Sequence, residues 1–410
     1  MFIILFASFE IKLFPISVPI FSFILIFLLY VIFRYTARKG LDTSMVESKN
    51  KYNVAHWLEE IARTHITLKL AGNTDLPIQR VDEASGKYID AREEHFKVLM
   101  QQYRWMVAFK VIIGAGLLVV GSVLVMEQQM NIGQFVAAEI IILLVIASVE
   151  KLIIGLESFY DVLTSIEKIG QVVDKELEAQ EGEKSMFKDD FSVELDDVSY
   201  GVENREKHIL KNISLTLKPK SRILVMGESG SGKSTLIRLI SGVNEPIFGN
   251  IYVNNLSLKS LHLNHYRSQL GLSLSDETPF EGTIRENLVF GNKKIQDDVI
   301  YNALNIVGLS QFLKEQSKGL ETVLHPEGKQ MSFTIAKKII LARAIIKQPK
   351  IMILEDPLDQ FNLDETVRII NYLTDVKRPW ALIVVSSKKS WRTQCTQIIT
   401  LEKGEIKSIK

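Results

Sequence analysis

The stretch Gly227-Glu228-Ser229-Gly230-Ser231-Gly232-Lys233-Ser234-Thr235 fits the pattern G-x-x-x-x-G-K-[ST]. Residues of these types at this spacing suit one task, the grip of a polyphosphate. Glycines let the backbone curl until successive N–H groups converge on phosphate oxygens. Lys233 then reaches the β- and γ-phosphates, and the Ser234 hydroxyl ligates Mg²⁺. The expected ligand is ATP with Mg²⁺. Such a loop has to join a strand to a helix, because the helix N-terminus adds its dipole to the phosphate site. Ile223-Leu224-Val225-Met226 reads as a buried strand, and Leu236, Ile237, Leu239 and Ile240 follow at helical spacing.

The chain has 410 residues, room for two or three domains. Its 49 basic and 48 acidic residues leave a net charge of +1, which gives no footprint for nucleic acid. Cys395 is the sole cysteine, so neither an intrachain disulfide nor a cysteine-based zinc site can form. Apolar residues crowd the first 160 positions, where three stretches have the length and composition of membrane spans: about 13–33, 107–126 and 132–155. Lys110 lies near one end of the second span and is expected to snorkel. Glu139, about two turns into the third, is expected near the interface or against a neighbouring helix. Basic residues fill 34–105, whereas the turn 127–131 has none, so the positive-inside rule places 34–105 in the cytoplasm. The third span then returns the chain to the compartment that holds ATP.

Between the first two spans, Val54, Trp57, Leu58 and Ile61, then Phe96, Leu99, Met100 and Tyr103, have helical spacing, broken by Gly72 and Asn73-Thr74-Asp75-Leu76-Pro77. Two long cytoplasmic helices joined by a turn are expected, with an amphipathic helix over 156–175 after the third span. Short β-type runs from Val193 onward surround helical segments, the alternation of an α/β domain. The organisation expected is 1–175, a membrane domain with a cytoplasmic hairpin; 176–190, a charged linker; and 191–410, a nucleotide-binding domain.

Membrane spans, a cytoplasmic hairpin and a C-terminal phosphate-loop domain together resemble a subunit of an ABC exporter. Further segments carry the likeness: 208–219 (HILKNISLTLKP), 280–288 (FEGTIRENL), Leu341-Ala342-Arg343-Ala344 through Leu354, and Gly133-Gln134-Phe135-Val136-Ala137. The resemblance implies an α-helical transmembrane domain of partial exporter type, followed by an α/β P-loop NTPase domain of ABC ATPase type. It also implies that the three spans match the last three of six membrane helices, with Met1–Phe9 the end of another. The turn near Thr64–Gly72 then matches the helix that couples to a nucleotide domain.

The positions that correspond to the family's catalytic machinery have changed. Ser275 stands where the family has a glutamine, and Met331-Ser332-Phe333-Thr334-Ile335 stands for L-S-G-G-Q. Glu355 then Asp356 replace Asp then Glu, Ser387 replaces the switch histidine, and Val202 replaces the adenine-stacking aromatic. By the resemblance Glu355 holds Mg²⁺, Asp356 is a weak candidate base one methylene too short, and Tyr200 substitutes beneath adenine. A base misplaced by about 1 Å costs on the order of 100-fold. Binding with weak hydrolysis is therefore expected.

The function this implies is an ATP-binding subunit of an exporter-like transporter in the cytoplasmic membrane. It would act as a homodimer, or as a heterodimer with another ABC subunit, and a separately encoded membrane segment would supply further helices. A non-transporting ATP-binding regulator, or a remnant of a longer exporter gene, is the alternative. A membrane-tethered kinase is disfavoured by the family-like segments 280–288 and 341–354.

Overall fold

The structure is a computed structural model and describes residues 17–179, 181–184, 191–201 and 208–410. Met1–Phe9, the start of the first expected span and Val202 lie outside the described residues. The chain divides into two compact units, Met1–Glu176 and Leu177–Lys410.

The first unit is built from the long helices Ser17–Arg63, Leu76–Met126 and Ile132–Val173, with a short helix, His65–Leu70, at the turn between the first two. At 1.5 Å per residue a helix of 51 residues such as Leu76–Met126 is about 75 Å long, more than twice a hydrocarbon core of about 30 Å. Only its apolar C-terminal part need cross a bilayer. Leu76–Met126 and Ile132–Val173 are both long and apolar enough to do so. Pro77 opens the former, where a missing N–H costs nothing. Asn131 starts the latter with a capping box: its Oδ1 accepts from Gln134 N at 2.8 Å, and Gln134 Oε1 accepts from Asn131 N at 3.0 Å.

Met106, Phe109 and Ile113 of one helix pack with Ile142, Ile146 and Val149 of the next. Lys110 beside them does not merely snorkel. Its Nζ lies 2.5 Å from Glu150 Oε2, so each charge offsets the other's cost of leaving water.

Along the second unit run β1 (Val193–Tyr200), β2 (Leu210–Leu217), β3 (Arg222–Gly227), β4 (Phe248–Val253), β5 (Leu256–Ser257), β6 (Leu270–Ser273), β7 (Gly282–Thr283), β8 (Val323–Leu324), β9 (Ile351–Glu355), β10 (Ala381–Val385), β11 (Gln397–Glu402) and β12 (Glu405–Ile409). Among the described residues they form an antiparallel sheet of order β2-β1-β4-β5, a mostly parallel sheet of order β12-β11-β3-β10-β9-β6, and the pair β7-β8. The parallel sheet is covered on both faces, which is why its strands read as continuous apolar runs. In β3, Leu224 enters one core while Ile223 and Val225 enter the other. Met352 and Leu354 of β9 alternate with Ile351 and Ile353 in the same way.

β3, β10 and β9 are adjacent and parallel, so Gly227, Val385 and Glu355 end at one edge of the sheet. Open α/β sheets bind ligands at such carboxyl ends.

Candidate nucleotide-binding site

β3 ends at Gly227, and the helix Lys233–Ile240 begins six residues later, so the glycine-rich stretch forms the connecting loop. Two of its glycines are required by contact as well as by backbone angle. Gly227 has φ +155°, and a Cβ there would lie 2.3 Å from Leu401 O and 2.6 Å from Ser231 Oγ. Gly232, with φ +98°, would meet Leu210 Cδ2 at 2.5 Å. Gly230, at φ +78°, has nothing within 4 Å; its constraint is the backbone angle alone.

Lys233 Nζ folds back over the loop and donates to Gly227 O at 2.9 Å and Glu228 O at 2.7 Å. An ammonium has three hydrogens, so these bonds leave one to point outward. The Ser231 hydroxyl is buried and has no protein partner. Glu228, Ser229 and Gly230 are exposed at the tip, and Thr235 is half-buried on the helix.

Glu355, at the end of β9, is buried to 5% exposure. Its Oε1 accepts from the Ser234 hydroxyl in a close contact, and its Oε2 accepts from Ser275 Oγ at 2.8 Å and Ser275 N at 3.2 Å. A Ser234 hydroxyl that donates to Glu355 keeps its oxygen lone pairs free for a cation. The loop holding Ser275 is fixed from beneath by Lys337, a buried lysine of the helix Phe333–Ile346. Lys337 Nζ donates to Leu274 O at 3.1 Å, Ser275 O at 2.5 Å and Glu277 O at 3.5 Å. Burial lowers the Lys337 pKa, opposed by the nearby Glu277, Asp276 and Glu355 carboxylates. Arg343 from the same helix pairs with Glu277, and Arg238 of the loop helix bonds Asp276 Oδ2 at 2.8 Å.

Asp356 follows in the left-handed region at φ +40°, with its N–H donating to Val385 O at 2.9 Å. Its Oδ1 is buried without a partner. Burial raises its pKa, as does Asp359, while a hydrogen bond from Ser386 acts the other way.

Ser332 caps the helix Phe333–Ile346, its Oγ accepting from Ile335 N at 3.3 Å. Phe333 is 52% exposed at that helix start, with Lys337 Nζ 5.3 Å from its ring centre. Tyr200 is half-buried at the end of β1 and packs against the core between the two sheets. Ser387 is exposed just beyond β10.

The 280–288 segment owes its pattern to local bonding. Thr283 and Glu286 form a capping box, and the fully buried Asn287 accepts from Phe280 N and donates to Phe280 O and Thr283 O. Lys337 and the ties of Glu355 to the two serines were not evident as site elements in the sequence.

Cradle, ammonium, orphaned hydroxyl and the Ser234–Glu355 pair together fit a triphosphate and its divalent cation. Residues 210–359 match the family model described as ABC transporter. Over 242 residues the chain is 28% identical to the uncharacterized ABC transporter ATP-binding protein YfiB of Bacillus subtilis (strain 168), covering 58% of this chain and 42% of that one. Over 286 residues it is 26% identical to the leukotoxin translocation ATP-binding protein LktB of Mannheimia haemolytica, covering 70% and 40%. The chain therefore spans about two fifths of the length of these curated relatives. In fold it matches a bacterial Atm1-family ABC exporter solved with ATP bound, with a TM-score of 0.90 and 17% identity over 98% of this chain and 71% of that one. Residues 210–359 are thus an ABC transporter domain, in a chain homologous to ABC exporter ATP-binding proteins with fused membrane and ATPase parts.

Proposed function

We propose that this chain is the ATP-binding subunit of an exporter-like transporter in the cytoplasmic membrane, and that it holds ATP-Mg²⁺ firmly while hydrolysing it slowly. The observation that carries this reading is the contrast within one site. Lys233 over the loop carbonyls and the unpartnered, buried Ser231 hydroxyl support a phosphate grip, whereas the Asp356 carboxyl, with Oδ1 buried and unpartnered, supports a poorly placed base.

Bound ATP-Mg²⁺ supplies a γ-phosphoryl group open to attack by water. Residues Gly227 to Thr235 bind the phosphates, with Lys233 turning outward to meet them. Ser234 offers its oxygen to the cation, and Glu355 orients that hydroxyl. Asp356 is the candidate base, and its arm is short. Tyr200 is the aromatic nearest in sequence to the expected base-stacking position. Dimerisation, with a second copy or another ABC subunit, brings a second nucleotide domain to the site. Phe333 and Thr334 then stand where the family's glycines let a helix end approach phosphate.

The test is ATP binding and turnover by the purified full chain in lipid. We expect calorimetric binding that Lys233→Ala weakens by about 100-fold, the loss of roughly 3 kcal/mol of charge-assisted bonding. Turnover close to a typical enzyme rate of about 10 per second overturns slow hydrolysis. Undiminished affinity in Lys233→Ala overturns the binding site itself.

A non-transporting ATP-binding regulator is a second reading, favoured by the exposed Phe333 side chain at the signature position. ATP-dependent dimerisation with no vesicle transport supports it.

A further inference from the structure

Residues 176–190 read in the sequence as a charged linker, yet Glu178, Gly182 and Glu183 are fastened to the second unit. Gly182, at φ +133°, lies so close to the 261–262 backbone that a Cβ would stand 2.6 Å from the Leu261 carbonyl carbon and 2.7 Å from His262 N. Glu183 N donates to Ser260 O at 2.9 Å, and His262 N donates to Glu183 O at 3.1 Å, a parallel bridge. A few residues earlier, the Arg267 guanidinium meets the Glu178 carboxylate in a two-pronged pair, one prong 2.6 Å long. Forked pairs of this kind fix orientation as well as charge. The Arg267 bonds hold the Glu178 carboxyl below the usual carboxylate range.

Both fastenings act on one short helix, Leu263–Ser268, at its entry and near its exit. That helix in turn grips the end of the helix Lys233–Ile240. The Tyr266 hydroxyl donates to Ile240 O at 2.5 Å, and Arg267 donates to Gly242 O with the same nitrogen that bonds Glu178. Tyr266 thus satisfies a carbonyl that a helix leaves unpaired at its C-terminus, and a guanidinium placed there suits the helix dipole. Tyr266 is fully buried, so water does not compete for its bond. The helix Lys233–Ile240 has eight residues, about 12 Å at 1.5 Å per residue, and opens with the lysine of the phosphate loop. Two turns of helix are marginal alone. What holds the last turn therefore also holds the amides and the ammonium at the first.

We propose that Glu178 and Arg267 are positioning residues for the phosphate site, and that the linker docked through them sets how tightly the chain holds ATP. The contacts run from Glu178 to Arg267 to Gly242 O, then along two helical turns to Lys233. The Glu178 side chain is 42% exposed and that of Arg267 23%, so water screens part of the tie and its effect is graded. Coupling of this kind is reciprocal: docking that favours ATP is favoured by bound ATP to the same factor. The inference rests on reading Gly227–Thr235 as an ATP site; it does not depend on hydrolysis.

Calorimetry of ATP-Mg²⁺ binding and amide exchange, both on the full chain in lipid, test it. Glu178→Ala breaks the pair, and Gly182→Ala unseats the linker at its other fastening. Glu176→Ala removes an exposed carboxylate of the same linker that lies outside the pair. Glu178→Ala and Gly182→Ala should each weaken ATP binding about fivefold, the low end for coupled sites, while Glu176→Ala leaves it unchanged. In the natural chain ATP should slow exchange of the Glu183 and Gly242 amides by about the same factor, and Glu178→Ala should remove that slowing. A purely structural tie would not make exchange at 183 respond to nucleotide. If the natural chain binds ATP and Glu178→Ala matches Glu176→Ala in affinity, the positioning role is overturned and the ATP site stands. Exchange at 183 and 242 that ignores bound ATP overturns it too. A natural chain that binds no ATP overturns the ATP site itself, and the positioning role falls with it.

Discussion

Ser275 holds Glu355. Its hydroxyl donates to Glu355 Oε2 at 2.8 Å and its backbone N–H to the same oxygen at 3.2 Å, while the other carboxylate oxygen accepts from Ser234. A short side chain on the loop is met by a long one on the strand, and the extra methylene of Glu355 closes the distance. Both positions depart from the residues expected by resemblance, and the departures fit each other.

That fit predicts coupling. Ser275→Ala leaves a buried carboxylate short of one donor, which costs about 1–3 kcal/mol of stability. Ser275→Gln overfills the gap, and Glu355→Asp opens it. The double variant Ser275→Gln/Glu355→Asp should be damaged less than the sum of the single changes, by about 1 kcal/mol or more. Thermal melts and ATP affinity at fixed Mg²⁺ for the four proteins give the coupling directly. Additive effects would show that the two residues act separately.

The loop glycines should differ sharply in tolerance. At Gly227 an added Cβ meets a backbone carbonyl, Leu401 O, which cannot rotate away. Gly227→Ala should therefore cost several kcal/mol, about 3 or more, and lower the melting temperature by many degrees. At Gly230 the space is open, and Gly230→Ala carries only the cost of a left-handed backbone, about 1–2 kcal/mol. Equal losses in the two variants would mean that the loop relaxes around Gly227.

Asp356 carries a pH dependence whose sign can be worked out. Its folded pKa is raised above the ordinary 3.8, chiefly by burial. A raised acid contributes stability that is complete below its unfolded value and is lost as pH rises through the folded one. At neutral pH the ionised, under-partnered carboxylate is therefore a liability. Asp356→Asn keeps the shape, tolerates the left-handed backbone and removes the charge. The variant should melt higher than the natural chain at pH 7, and the gap should narrow as pH falls toward 4. A gap that widens on acidification would assign the raised pKa to the wrong group.

The phosphate loop was legible because its chemistry is local: glycines, lysine and serine act within nine consecutive residues. The long helices were legible for a similar reason, since apolar length and periodicity are read off neighbouring positions. Neither β6 nor β12 carries a long unbroken apolar run. β6 has four residues, one of them Gly271, which is there because a Cβ would press on Pro349 Cγ at 2.7 Å and Ala344 O at 2.9 Å. β12, Glu405–Ile409, has only two apolar residues, Ile406 and Ile409, and lies at the sheet edge. Lys337 was opaque altogether. Nothing in a lysine at helical spacing after Phe333 announces that the fold will bring the carbonyls of 274, 275 and 277 around its ammonium.

Lys337 therefore supports the most pointed prediction about the site. Its ammonium spans from the helix that begins at Phe333 to the loop that holds Glu355, so it positions the carboxylate without touching it. Lys337→Met keeps the length and the apolar stem but strips the donors from three carbonyls. Each buried carbonyl left short costs about 1 kcal/mol or more, and the loop should loosen. Amide exchange of residues 274–277 should accelerate by at least about tenfold, the equivalent of 1.4 kcal/mol, while exchange in the β3 and β10 strands changes little. Lys337→Arg, which restores a cation with directed donors, should recover part of the protection. Unchanged exchange at 274–277 in Lys337→Met would show that Arg343–Glu277 and Arg238–Asp276 suffice to hold the loop, and that Lys337 only fills space beneath it.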